Sequence, residues 1–273
     1  MSGRASNRWK GFALLFPIVG MAAATALAQG PGSQRAFFQA WWGSKTTYFP
    51  VSGLVAYYSM ENVGTNVVED INNLTGGAGS GVTFSNSFGI IDQGADFDGS
   101  TTASILLPYS TLLQPGTGDM SWSFLVYFDA SGNADLISDV NLGAAGSEIG
   151  MGIGALGASG NGLVDFIASS GSGNYAQYRA SGWGLNQWHH FVIVWDGVLD
   201  SVEIWRNATN VTASYSILAE TTVGNVGSPN AVLISGRPNN TTRNLNGQMD
   251  EVLIYNRKLS AGEVEKIYGA YEL

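Results

Sequence analysis

Cysteine is absent from all 273 residues, which excludes disulfide staples and every chemistry that needs a thiolate. Charge is scarce. Only 12% of residues are charged, about half the ~25% of an ordinary soluble domain. With 12 Lys+Arg against 21 Asp+Glu, the net charge is −9. No basic stripe exists to neutralise phosphates, so nucleic acid is excluded as a partner. The two histidines, His189 and His190, are adjacent, which leaves no spacing for a histidine-based zinc site. What is present is glycine, at 37 residues, and a 45% hydrophobic fraction. That fraction suffices for a buried core and excludes wholesale disorder.

Residues 1–28 read as an address. Arg4, Arg8 and Lys10 form a basic start, Gly11–Ala28 is uncharged and apolar, and Ala26-Leu27-Ala28 offers a small-residue cleavage site. This is the three-part pattern of a secretory signal peptide. The apolar stretch is also just long enough to remain as a membrane anchor. Lys10-Gly11-Phe12 resembles a prepilin processing site, although Phe16 stands where pilins carry Glu. All three readings place the rest of the chain outside the cytoplasm. Residues 29–50 then form an aromatic connector containing Phe37, Phe38, Trp41 and Trp42.

From Val51 onward the signal is period-two alternation broken by Gly, Asn, Ser and Asp clusters. Trp122, Phe124, Val126 and Phe128 share one face of a strand. Phe191, Ile193 and Trp195 share another, and Asp196-Gly197 turns the chain into Val202–Trp205. Trp122, Trp195 and Trp205 are expected in the core. Such short strands predict an all-β fold, an antiparallel two-sheet sandwich over 51–273. The end differs. Ser260 with Glu263 makes a capping box, and Val264, Ile267, Tyr268 and Tyr271 lie on one helical face, so a short C-terminal helix closes the chain.

Four segments resemble the laminin-G-like, concanavalin A-like jelly-roll family. They are Gly53-Leu54-Val55-Ala56-Tyr57-Tyr58-Ser59-Met60-Glu61, Gly94-Ala95-Asp96-Phe97-Asp98-Gly99-Ser100, Trp188–Gly197 and Asn246–Ser260. The resemblance implies a jelly roll, a fold that hosts lectins, adhesins, glycosidases and spacers. It also implies a structural Ca2+ between an early loop and the closing strand. By position, Asp250 is the best-matched ligand and Asp70 falls in the early loop, where Asn72 replaces the family's Gly. Glu61 is a third candidate.

Catalysis finds little support in these residues. Glycosidases of this superfamily carry a Glu-x-Asp-x-x-Glu run, and none occurs here. Asp250 and Glu251 are adjacent, as are His189 and His190, so within a regular strand each pair points to opposite faces. The expected role is therefore a secreted or surface recognition module that binds glycan or an extracellular protein. An aromatic platform of Trp183, Tyr175 and Tyr178, in the Gly-rich stretch 174–184, is the candidate binding surface. The alternatives are a structural subunit of an extracellular appendage or virion surface, with homo-assembly through the connector, or a glycosidase or lyase. The membrane enters only through the N-terminal segment.

Overall fold

The chain divides into two units, Met1–Thr47 and Tyr48–Leu273. The computed structural model describes residues 49–62, 64–140, 149–157, 162–171, 174–212, 216–220, 222–238, 242–271 and 273. The leader at 1–28 and the aromatic pairs of the connector lie outside the described residues. Among those described, no helix is long and apolar enough to cross a membrane.

The first strands are short: β1 (Leu54–Tyr58), β2 (Asn66–Val67), β3 (Gly76–Ala78), β4 (Val82–Ser85), β5 (Gly94–Asp98) and β6 (Ile105–Leu106). After a 3-10 turn at Thr111–Leu113 come β7 (Met120–Phe128), β8 (Ala134–Ser138), β9 (Ile149–Leu156), β10 (Gly162–Gly171) and β11 (Asn174–Trp183). The chain continues through β12 (Trp188–Asp196), β13 (Ser201–Arg206), β14 (Thr209–Asn210) and β15 (Ser216–Glu220). It ends with β16 (Leu233–Ile234), β17 (Asn246–Tyr255) and helix α1 (Ala261–Gly269). Two antiparallel sheets result. One runs β14-β13-β12-β7-β17-β5-β4, with β1 also on β17, and the other runs β15-β11-β10-β9-β8-β16-β6-β3-β2.

The alternation read in β7 and β12 decides which side chains fill the space between the sheets. Met120, Trp122, Phe124, Val126 and Phe128 face inward beside Phe191, Ile193 and Trp195. From the other sheet, Met151, Ile153, Val164, Phe166, Ala168 and Tyr178 meet them. Phe166 touches rings of both central strands opposite, at 5.9 Å from Trp122 and 5.5 Å from Trp195 between centroids. Trp122 and Trp195 are thus core, as expected. Trp205 is half-buried instead, on the outer face of β13, where its indole N–H donates to Glu203 at 3.1 Å.

The outer face of the first sheet is covered by α1. Its capping box forms as the sequence predicts, with the Ser260 N–H donating to Glu263 Oε2 at 2.9 Å. Val264, Ile267 and Tyr271 are buried and Tyr268 half-buried. Arg257 holds Glu263 through two hydrogen bonds, which with the Ser260 contacts brings its carboxyl down to about 2. Ser121 Oγ donates to the carbonyl of Arg257 and accepts from the N–H of Leu259. These contacts tie the helix entry to β7.

Candidate functional site

The two histidines diverge, as neighbours in a strand must. His189 turns toward Phe128 and Phe191, and His190 faces out, packed against Tyr268 and Tyr271 of the C-terminal segment. His190 Nε2 lies 2.8 Å from Ser123 Oγ. Both residues are fully buried, and Nδ1 has no partner to fix its tautomer. Burial drives the imidazole down to about 3, so it is neutral near pH 7. His190 packs the C-terminal segment against the sheet, His189 packs on the core rings, and both are buried.

Two of the three carboxylates assigned to Ca2+ accept backbone amides. Asp250 Oδ2 accepts the N–H groups of Ile90 and Ile91, and its Oδ1 accepts that of Glu251. Glu61 accepts from the N–H of Gln93 at 3.1 Å. The early loop is organised by the neighbour of Asp70. Glu69 accepts four backbone N–H groups, from Tyr57, Ile71, Asn72 and Leu74. A cation would gather carbonyls and carboxylates, whereas here amides point inward at a carboxylate. Among the described residues no group of three or more His, Asp or Glu could hold a metal. Asp250 and Glu61 thus serve backbone amides rather than facing one another across a shared cation.

Glu251 breaks the alternation expected of β17. The register shifts between Asp250 and Leu253, and Glu251 takes φ +52°. This bulge turns its carboxylate onto the Tyr57 hydroxyl, which donates to it at 2.7 and 2.9 Å.

The platform of Trp183, Tyr175 and Tyr178 also requires correction. Inward positions of β11 are Ala176, Tyr178 and Ala180, so Tyr178 is buried and its hydroxyl donates to the Asp200 carbonyl at 2.8 Å. Trp183 is buried, stacked on Phe128 with centroids 4.1 Å apart. A Cβ at Gly162 would lie 2.0 Å from its indole. Glycine is thus required there, and the ring is only 4% exposed. Only Tyr175 is half-buried at the strand start.

The exposed aromatic lies elsewhere, on a loop beside the short strand β6. Tyr109 is 55% exposed and rims a cavity of 420 Å³ lined also by Thr111, Gln114, Gly116, Asn225, Ser228 and Pro229. The frame is stiff. Ser110 caps the 3-10 turn, its Oγ accepting from Leu112 N–H at 3.2 Å. Gln114 Nε2 donates to the Ser228 carbonyl at 2.6 Å, and Gly116, at φ +60°, pairs with Val226 across the cleft. Ser228 Oγ and Asn230 Nδ2 both donate to the Asp139 carbonyl, anchoring the loop to the end of β8.

Within that frame several groups are left over. Asn225 and Thr111 are exposed, and neither their side chains nor the Tyr109 hydroxyl hydrogen-bond to any described residue. No charged side chain lines the cavity. An aromatic face with free amide and hydroxyl groups suits a neutral, hydroxyl-rich ligand. The sequence signal was present but weak: in Pro108-Tyr109-Ser110-Thr111 a large ring sits in a turn rather than in an alternating run.

Asp139, at the base of this loop, is a buried carboxyl. Its Oδ1 accepts the Met151 N–H at 2.6 Å, and burial raises it from 3.8 to about 7. The folded chain therefore holds this proton more tightly than the unfolded one. The stability this contributes is complete below about pH 4 and is lost as pH rises toward 7. Asp139→Asn should match the wild type near pH 4 and exceed it by about 2 kcal/mol at pH 8. The gain is less than the full shift because the new amide needs its own acceptor. Urea melts at the two pH values measure it, and equal differences at both would count against the assignment.

A family profile, described as the concanavalin A-like lectin/glucanases superfamily, matches residues 98–265. The chain belongs to this superfamily. No curated protein sequence matches it. Solved structures similar to this superfamily member include the binding domain of Paraclostridial Mosquitocidal Protein 1. The identity is 15%, the coverage is 81% of this chain and 52% of that one, and the TM-score is 0.62. The botulinum neurotoxin serotype G binding domain gives 14%, 79%, 50% and 0.61 in the same order. A Trypanosoma rangeli sialidase in complex with sialic acid gives 11%, 89%, 39% and 0.64. The chain spans about half or less of the structures it matches, and at such identities the likeness is one of fold.

Proposed function

We propose that this chain is a non-catalytic carbohydrate-binding module of the cell exterior, which seats a neutral sugar in the cleft under Tyr109. The observation that carries the reading is the combination of an exposed ring with unpartnered amide and hydroxyl groups on a loop frame pinned by Gln114 and Ser228. The apolar face of a pyranose covers the ring while its hydroxyls meet Asn225 and Thr111. Burial of the ring and desolvated hydrogen bonds act together, so the loss on truncation is concentrated in the aromatic anchor. Membership of a superfamily that contains lectins supports this, as does the likeness to two toxin binding domains. Export rests on the leader at 1–28.

A glycan array with the full mature chain tests the reading. Tyr109→Ala should weaken binding of the best neutral glycan by about ten- to a hundredfold without moving the melting temperature. An array with no neutral hits would remove the proposal.

A second reading has one observation behind it. The tip of the β12–β13 hairpin exposes Val198 and Leu199 beside a 490 Å³ hollow whose Asp196 and Lys258 pair with each other. That surface favours an extracellular protein contact. Polar substitution of both tip residues would abolish any self-association seen by sedimentation.

A further inference from the structure

From Val51 onward the chain holds seven basic residues, and three of them meet at one place. Across four neighbouring strands the register sets Asp135 of β8 opposite Gly154 of β9, Gly154 opposite Asp165 of β10, and Asp165 opposite Arg179 of β11. At about 4.8 Å per strand this row is roughly 14 Å long. Arg237 clasps both oxygens of Asp135 through Nε and Nη2. Arg179 Nε donates to Asp165 at 3.0 Å, and Gln177 donates to both oxygens of the same carboxylate. Both acids are thus occupied and buried, so the row supplies no free general acid or base.

Arg243 is the anomaly. Its guanidinium lies over Gly154, where a Cβ would come 3.9 Å from Nη2. Nε approaches Asp135 at 3.3 Å without hydrogen-bond geometry. With its side chain 22% exposed, Arg243 makes no hydrogen bond through its five donors to any described residue, and Nε and Nη2 are shut off from water. Guanidinium nitrogens closed off from water without a hydrogen-bond acceptor are costly unless something completes them. Beside it, the terminal nitrogens of Arg179, a side chain 26% exposed, also lack partners among the described residues. Three guanidinium groups against two carboxylates leave a surplus of one positive charge, on a chain that is otherwise acidic.

We infer that Arg243 and Arg179 form a second binding site, separate from the Tyr109 cleft, for a sugar acid carrying a single carboxylate. A planar carboxylate matches the guanidinium edge through paired N–H···O bonds. The surplus of one charge suits a monoanion better than a dianionic phosphate, which Asp135 and Asp165 would repel.

Calorimetric titration of the full mature chain tests this with galacturonate, its methyl ester, N-acetylneuraminate and inorganic phosphate. At least one of the two sugar acids should bind, and tighter binding at low salt is expected. If galacturonate is the ligand, esterification should weaken it by about tenfold or more. Arg243→Gln and Arg179→Gln should each weaken sugar-acid binding to a similar degree, whereas Tyr109→Ala should leave it unchanged. Since the Arg243 guanidinium makes no hydrogen bond to any described residue, Arg243→Gln should fold, and Arg179→Gln provides an independent arm. Binding of neither sugar acid would overturn the proposal. So would equal affinity for acid and ester, phosphate binding as tight as the sugar acids, or variants that bind like the wild type. Loss of neutral-glycan binding alone would sink the cleft reading and leave this one standing.

Discussion

Asp135→Leu should destabilise the protein by about 3–5 kcal/mol in urea unfolding, because it leaves two guanidinium groups beside an apolar side chain. Arg237, nearly buried, loses the acceptor for both Nε and Nη2, and Arg243 loses the carboxylate 3.3 Å from its Nε. The backbone around the acid would be affected too. Asp135 N–H donates to the Arg243 carbonyl at 2.7 Å, and its carbonyl accepts from Gly236 at 2.6 Å. These bonds hold the segment that follows β16 against β8. The loss should largely disappear in the double variant Asp135→Leu with Arg237→Leu, since replacing both members of a buried pair by apolar groups is often close to neutral. A single-variant loss under about 1 kcal/mol would mean that the pair contributes little and that the segment is held by its backbone alone.

Phe166→Ala should cost about 3–5 kcal/mol through lost burial and the cavity left behind. The ring is fully buried and stands on the second sheet, yet its nearest aromatic neighbours, Trp122 and Trp195, belong to the first. Removing it therefore opens a void between the layers, where neighbours on paired strands have little freedom to collapse. Urea melts should show a lower midpoint with an unchanged slope. A slope change would instead mean that the sheets separate before the rest unfolds.

Much of the sandwich was legible because strand alternation survives in sequences with one buried face. β7, β12 and the hairpin to β13 carried that pattern in Trp122–Phe128 and Phe191–Trp195, and Ser260 with Glu263 marked the helix start. The stretch between Ala130 and Gly184 was illegible for a physical reason. On β9 the outward positions are Gly150, Gly152 and Gly154, so the alternation is of apolar side chains with none at all. Gly154 leaves room for Arg243, and Gly150 lies against Asp139.

The sites were harder to read. Trp183 and Tyr178 looked like a platform because they sit in a Gly-rich segment, but a strand forms there and turns both rings inward. Asp250 and Glu61 looked like ligands by position, but each is an acceptor for backbone amides. Arg237 and Arg243 gave no local signal, since only the pairing of β8, β9, β10 and β11 brings them to Asp135, Asp165 and Arg179. Tyr109 needed the opposite loop, Asn225–Pro229, and more than a hundred residues of chain separate the two.

The most direct test of glycan recognition at the cleft is a backbone amide NMR titration of the mature chain with its best neutral glycan. Shifts should cluster at Tyr109, Thr111, Gln114, Asn225 and Ser228 and vanish in Tyr109→Ala. Perturbations centred on the Val198–Leu199 tip or around β11, with the cleft silent, would contradict it.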